Sequence, residues 1–253
     1  MKIQLMHQQA AYQCNLAEPL DLSIPVGQVK CFYAKDFVAE PYVSGDFVGS
    51  VKAGASINFY EIQMNPHGHG THTECLGHIT EQQESIQEQL KQFHFIAQLI
   101  SVPLTQKPDG DQLISKAALL AACPEPLPEA LIIRTLPNSN RKLTADYSGS
   151  NPPYLEAGIM DYLVYQKVKH LLLDLPSVDK ESDGGKLLNH RRFWNVEGHQ
   201  AIDDSRKDCT ITELIFVPDE IKDGLYLLNI QIPSIRLDAA PSKPVLYKMS
   251  KRN

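Results

Sequence analysis

Four histidines and a carboxylate fall within twelve residues, in the segment His67-Gly68-His69-Gly70-Thr71-His72-Thr73-Glu74-Cys75-Leu76-Gly77-His78. In an extended backbone, residues two apart point to the same side, so His72 and Glu74 can face one point in space. Imidazoles combined with a carboxylate are preferred ligands for a catalytic zinc or a similar divalent ion. Gly68, Gly70 and Gly77 supply the backbone freedom to bring His67 or His69, and His78, toward the same point. The residues alone leave open which of His67 and His69 turns inward. Cys75 has the opposite parity to Glu74 and reads as a small buried thiol rather than a ligand.

Other chemistries are poorly represented. The sequence has no G-x-S-x-G elbow and no Walker loop. The fragment Gly68-His69-Gly70 lacks the third glycine of a dinucleotide-binding turn. Its 24 Lys+Arg against 30 Asp+Glu give a formal net charge of −6, which argues against a nucleic-acid partner. No apolar stretch approaches the ~20 residues of a membrane helix. The start, MKIQLMHQQAAYQ, does not read as a signal peptide. The five cysteines are widely spaced and form no C-x-x-C, so reduced thiols in a cytoplasmic protein are expected.

These residues must be positioned by the elements around them. Asp21–Ser23 is a short extended piece ending before Pro25, and Ile57–Met64 is aromatic and β-branched like a strand. The Gln/Glu-rich start of Glu81–Leu99 reads as a helix, and Leu113–Ala122 as a shorter helix opened by Asp111 or Ser115. Ala130–Thr135, Val168–Leu175, Thr210–Val217 and Gly224–Ile232 read as strands. The segment from Leu155 to Val164 has helical spacing, and Arg141–Pro153 reads as a polar binding loop. The expected fold is one α/β domain spanning residues 1–253, with a mixed, curved or barrel-like sheet flanked by helices. On the strand Thr210–Val217, Glu213 shares a face with Ile211 and Ile215. A buried lone carboxylate there requires a partner or a metal. Asp174 can either hold a metal-bound histidine from behind or form a turn. Phe59, Tyr60 and Trp194 are candidates for an aromatic pocket, though core packing is the ordinary role of such residues.

At the histidine cluster the sequence resembles the metal-dependent cyclase/formamidase family, which includes bacterial kynurenine formamidase and isatin hydrolase. The family signature is H-x-G-T-H-x-D-x-x-x-H. Gly70-Thr71-His72 matches its centre, Glu74 stands in place of its aspartate, and His78 matches its last histidine. Asp21-Leu22-Ser23 is similar to an early family motif. Leu173-Asp174-Leu175-Pro176-Ser177-Val178-Asp179 is similar to the family's G-I-D-x-P-S-V-D. His190 and Glu213 follow where the family has a histidine and a late glutamate. The first signature histidine would fall on Gly68, and His67 is the favoured replacement. The insert Asn195–Cys209, between His190 and Glu213, points to a divergent branch.

The resemblance implies a swivelling β/β/α fold and a metal-dependent hydrolase. It implies that His67, His72 and Glu74 hold one divalent ion, with His78, His190 and Glu213 holding a second or moving protons. Zinc is the first expectation and manganese the second, with one or two ions per chain. The implied reaction is attack by metal-activated water on a C–N amide bond, in an aryl formamide or a cyclic amide. The alternatives are a lactone or ester hydrolase or cyclase of the same family, or a non-catalytic metal-binding protein. A small-molecule substrate and a homodimer or higher homo-oligomer complete the expectations.

Overall fold

The computed structural model describes residues 1–252. Its centre is a nine-stranded mixed sheet. The strands are β1 (Leu20–Asp21), β2 (His72–Glu74), β3 (His94–Pro103), β4 (Ala130–Leu136), β5 (His170–Leu173), β6 (Thr210–Glu213), β7 (Gly224–Gln231), β8 (Ala239–Pro241) and β9 (Lys243–Lys248). Their spatial order is β8-β2-β6-β5-β4-β3-β7-β9-β1. The middle strands β6, β5, β4 and β3 run parallel, and antiparallel strands flank them on both sides.

The sheet curls into a half-barrel. Beyond β1, Ser23 bridges Ile215 in the continuation of β6, and the Phe216 amide donates to the Leu22 carbonyl at 2.8 Å. The far edge of the sheet thereby returns to the strands that carry the histidine segment. The parallel strands are buried almost throughout, as continuous apolar runs must be when both faces are covered.

Helices α1 (Ile86–Gln89), α2 (Lys116–Ala122), α3 (Ile159–Tyr165) and α4 (Leu188–Trp194) are short. Leu119, Met160, Leu163, Phe193 and Trp194 from these helices join Leu99, Ile132, Leu172 and Ile211 of the sheet in one core. Full burial of each such aliphatic side chain contributes roughly 1.5–3 kcal/mol. The Ser115 hydroxyl caps α2, accepting from the Ala118 amide at 3.3 Å.

Two expectations from sequence are corrected. Glu81–Leu99 is not a helix: only the single turn Ile86–Gln89 is helical, and the chain from His94 becomes the longest strand. The Gln/Glu-rich stretch lies before β3 and keeps only that one helical turn, while pairing of β3 with both β4 and β7 claims the residues from His94 for the sheet. Second, Ile57–Met64 forms only the strand Tyr60–Gln63, exposed at all four positions and paired with Val38–Pro41 outside the central sheet. The strands expected near residues 170, 210 and 224 are present with shorter bounds, and the one at Ala130 runs one residue further than expected, to Leu136.

Candidate metal centre

The register of the sheet assembles the site. In antiparallel β2 and β6, His72 lies opposite Glu213 and Glu74 opposite Ile211. On the other side of β2, Ala239 lies opposite Glu74, and the Cys75 amide donates to the Asp238 carbonyl at 3.0 Å. Glu74 and His72 are completely buried, and Glu213 is nearly so. Past Glu74 the chain turns, because Gly77 packs directly on the Glu84 backbone, where a Cβ would collide with the carbonyl. This turn carries His78 back over Glu74.

Around Glu74 four imidazoles share one arrangement. Each uses one ring nitrogen on an outer oxygen and turns the other inward. His72 Nδ1 donates to the Gly70 carbonyl at 3.1 Å, which leaves Nε2 as a lone pair 3.5 Å from Glu213 Oε2. His67 Nε2 is 2.8 Å from Asp238 Oδ2, and its Nδ1 is 3.1 Å from Glu74 Oε2. His78 Nδ1 is 3.2 Å from the same Asp238 oxygen, with Nε2 3.9 Å from Glu74 Oε2. His190 Nδ1 is 2.7 Å from Asp179 Oδ2, with Nε2 3.2 Å from Glu74 Oε1 and 3.9 Å from Glu213 Oε1. Outer oxygens that fix the tautomer and aim the inner lone pair are the usual support of metal-binding histidines.

The inner atoms form two triads, His67/Glu74/His78 and His72/Glu74/Glu213, with ligand atoms in each within 4.8 Å of one another. Glu74 belongs to both. This grouping differs from the expected partition, which placed His72 with His67 and Glu213 with His78. The reason is the pairing of β2 with β6, which sets Glu213 against His72.

Buried and unpaired atoms mark the centre as built for a cation. Both Glu74 oxygens and His72 Nε2 have no hydrogen-bond partner of good geometry. A buried carboxylate in that condition is costly without a counter-charge. In the protein alone, protons supply that charge. Burial opposes protonation of His67, but its hydrogen bond to Asp238 and the nearby Glu74 carboxylate lift its pKa to about 10. Burial likewise opposes a charged His190, but Asp179 and Glu74 hold its pKa well above the usual histidine range. Glu74, despite burial, is held well below the usual carboxylate range by His78, His190 and His67. A divalent cation at the same point would take over the role of these protons. The residues present therefore fit a metal, with Glu74 common to both triads.

The other sequence candidates separate cleanly. His69 is buried on the other side: its Nδ1 accepts from the Asn65 amide at 2.9 Å and its Nε2 donates to the Lys35 carbonyl at 2.7 Å. Of the two histidines left open by the sequence, the structure brings His67 to the centre. Cys75 is buried away from it, with its thiol donating to the Glu84 carbonyl at 3.2 Å, and burial pushes its pKa up to about 12. Asp174 is remote, accepting from the Thr135 amide and from Lys142 Nζ at 2.9 and 2.7 Å. Its expected supporting role falls instead to Asp179. That residue also caps α4 through the Asn189 amide at 2.9 Å. Trp194 is fully buried beneath the site, its ring centroid 5.6 Å from that of His190. Phe59 and Tyr60 are exposed and do not line the site.

Asp238 was missed by sequence reasoning. Its only local signal is a lone acid just before the strand Ala239–Pro241, and nothing in the sequence pairs that strand with His72–Glu74. The insert Asn195–Cys209 forms a small hairpin, and the His199 carbonyl accepts from the Glu81 amide at 2.9 Å, beside the His78 turn. The centre opens into a cavity of about 330 Å³, lined among others by His67, His78, His190 and Glu213.

Residues 20–180 match the family model described as "Putative cyclase". The chain belongs to this cyclase family. Its curled sheet is shared by solved structures of low sequence identity. A structure described as a novel cyclase aligns with a TM-score of 0.64 at 15% identity, covering 93% of this chain and 90% of that one. An isatin hydrolase bound to the product analogue thioisatinate aligns at 0.63 and 12% identity, covering 92% and 93%. A protein from Bacillus stearothermophilus described as a "predicted metal-dependent hydrolase" aligns at 0.61 and 16%, covering 91% and 98%. No curated protein matches the chain at a significant level. Among the described residues, no helix is long and apolar enough to cross a membrane.

Proposed function

We propose that this cyclase-family protein is a metal-dependent hydrolase that cleaves a C–N amide bond in a small molecule, either an aryl formamide or a cyclic amide. The observation that carries the reading is the common orientation of four histidines about Glu74, each anchored outside and free inside. The isatin hydrolase neighbour supports a cyclic amide among the substrates. Histidine and carboxylate ligands suit zinc and manganese alike, and two triads sharing Glu74 leave room for one ion or two.

His67, His72, Glu74, His78 and Glu213 would hold the metal. When bound, it supplies Lewis acidity and lowers the pKa of a bound water toward ~7. The protein does the rest. Glu213 Oε1 is fixed by the Val178 amide at 3.0 Å, so the carboxylate keeps its direction toward His72. Asp179 holds His190 Nδ1, leaving Nε2 to take a proton from attacking water and return it to the leaving nitrogen. His78, with a side chain 30% exposed and its Nδ1 held by Asp238, stands on the solvent side of the centre. The buried position of Glu74 keeps bulk water from the carboxylate.

The test measures metal content by elemental analysis, then hydrolysis of N-formylkynurenine, isatin and simple lactones by the metal-loaded protein. Turnover of either amide at a rate that follows metal content supports the reading. Full occupancy with no amide turnover overturns it, and turnover confined to lactones moves the protein to ester chemistry.

A further inference from the structure

The cavity over the metal centre has polar walls with two exceptions. Among the described residues, Phe32 and Leu187 are the only apolar ones that line it. Both are held in a backbone conformation that bulky side chains avoid. Phe32 and Tyr33 occupy the centre of a turn closed by the Ala34 amide on the Cys31 carbonyl at 3.1 Å, with φ of 56° and 54°. Positive φ at both central positions is the type I′ pattern, which favours Asn-Gly. Here it displays two aromatic residues. Leu187 has φ of 47° and sits at the cap position of α4, where Ser, Thr, Asp or Asn is preferred.

Neither conformation is a relaxed accident, because the surroundings impose both. The Cys31 amide donates to the Gly68 carbonyl at 3.0 Å, and the Tyr33 amide to Ser148 Oγ at 3.0 Å. A Cβ on Gly68 would stand 2.8 Å from the Ala34 methyl, so the turn is fitted closely against the histidine segment. Across the chain, Asp183 accepts from the amides of Gly185, Lys186 and Leu187 at 2.8, 3.1 and 2.6 Å. Strained residues held by their surroundings and facing a site point to a role in that site.

We propose that Phe32 and Leu187 are the specificity-determining residues of the cavity, gripping a flat apolar ring attached to an amide that reaches toward His67, His78 and His190 on the cavity wall. The inference rests on the proposed amide chemistry for its choice of ligand, and on the cavity geometry for the residues. Phe32 is 41% exposed, so its face is available to a ligand. The remaining walls are formed by polar and charged residues such as Asn65, Ser177, Lys180 and Asp183. The pair therefore sets the preference for aryl over small aliphatic amides.

The experiment measures binding rather than turnover, by titration calorimetry on zinc-loaded protein, with anthranilamide and propionamide as probes. The variants are Phe32→Gly and Leu187→Asn, each suited to a left-handed backbone. The proposal requires wild type to bind anthranilamide more tightly than propionamide. It also requires each variant to reduce that ratio at least ~10-fold, the scale of losing apolar contacts in a pocket. Phe32→Gly should do so with an unchanged or raised melting temperature, since glycine relieves the turn. A drop smaller than ~10-fold in either variant, or no aryl preference in wild type, overturns the proposal. If the aryl preference holds and shifts as stated but no amide is hydrolysed, the proposed activity fails while this assignment stands.

Discussion

Asp238→Asn separates a metal centre from a mere cluster of buried polar groups. One oxygen of Asp238 serves two histidines, at 2.8 Å from His67 Nε2 and 3.2 Å from His78 Nδ1. Asparagine keeps the shape and can still accept one hydrogen bond, but it removes the charge that makes both imidazoles better donors to a metal. A hydrogen bond to a charged group contributes about 1.5–3 kcal/mol, and losing such an outer partner weakens metal affinity by about 10–100-fold. Since the substitution touches two histidines of one triad, a loss toward the upper end, ~100-fold, is expected. The Asp238 side chain is 29% exposed, so the neutral amide can be solvated and the fold should survive. The assay is competition with a chelator of known affinity, with circular dichroism as the folding control. A metal affinity within twofold of wild type would refute the assignment of His67 and His78 to the ion.

Further expectations follow from the same geometry. His67→Gln should strip metal from the protein whereas His69→Gln should not, because His69 is tied to Asn65 and Lys35; elemental analysis distinguishes them. Glu213→Gln should lower hydrolysis at least ~100-fold with folding intact, as measured by initial rates and melting temperature. Asp174→Asn should destabilise the protein by about 3–5 kcal/mol in denaturant titration while leaving metal content unchanged, because it leaves the mostly buried Lys142 ammonium without its carboxylate. For metal-free protein, His67 has a folded pKa raised to about 10 and so contributes stability while protonated. That contribution is complete below its unfolded value of ~6.5 and is lost as pH rises through about 10. Glu74 and Asp238 have lowered pKa values, so their contribution is present above about 4 and lost as pH falls. Melting temperatures across pH should show both limbs without metal, and a flat profile would contradict the proton-balanced centre.

The candidate histidines and carboxylates were already legible in the sequence, but their division into two triads was not. His72 and Glu74 are two apart on a strand, and the period of 2 alone sends both to one side and Cys75 to the other. The apolar runs at Ala130–Thr135 and Val168–Leu175 announced buried strands, because few other elements accept uninterrupted burial over so short a length. Glu213, on a face with Ile211 and Ile215, could be read from sequence either as a buried carboxylate or as a solvent-facing one on an edge strand, and the structure buries it.

What the sequence left open concerns positions where local pattern and long-range pairing disagree. His67 and His69 have the same parity, but the chain there is a turn, with Asn65 Oδ1 accepting from the amides of His67 and Gly68 at 2.9 and 3.1 Å. Parity has no meaning in a turn, so only the packed structure separates the two histidines. The segment Glu81–Leu99 carried helix-forming residues, yet partners on both sides claimed its second half as a strand. Asp179 took the place considered for Asp174 because the loop after β5 delivers it to the start of α4, next to His190. Asp238 reaches His67 across 171 positions, and the register Ala239 to Glu74 that brings it there is a contact between distant strands. Residue types and short spacings specify which atoms can bind a metal. Which of them converge, and which acids steady them from behind, is decided by strand register, because that register is set by pairing across the whole sheet.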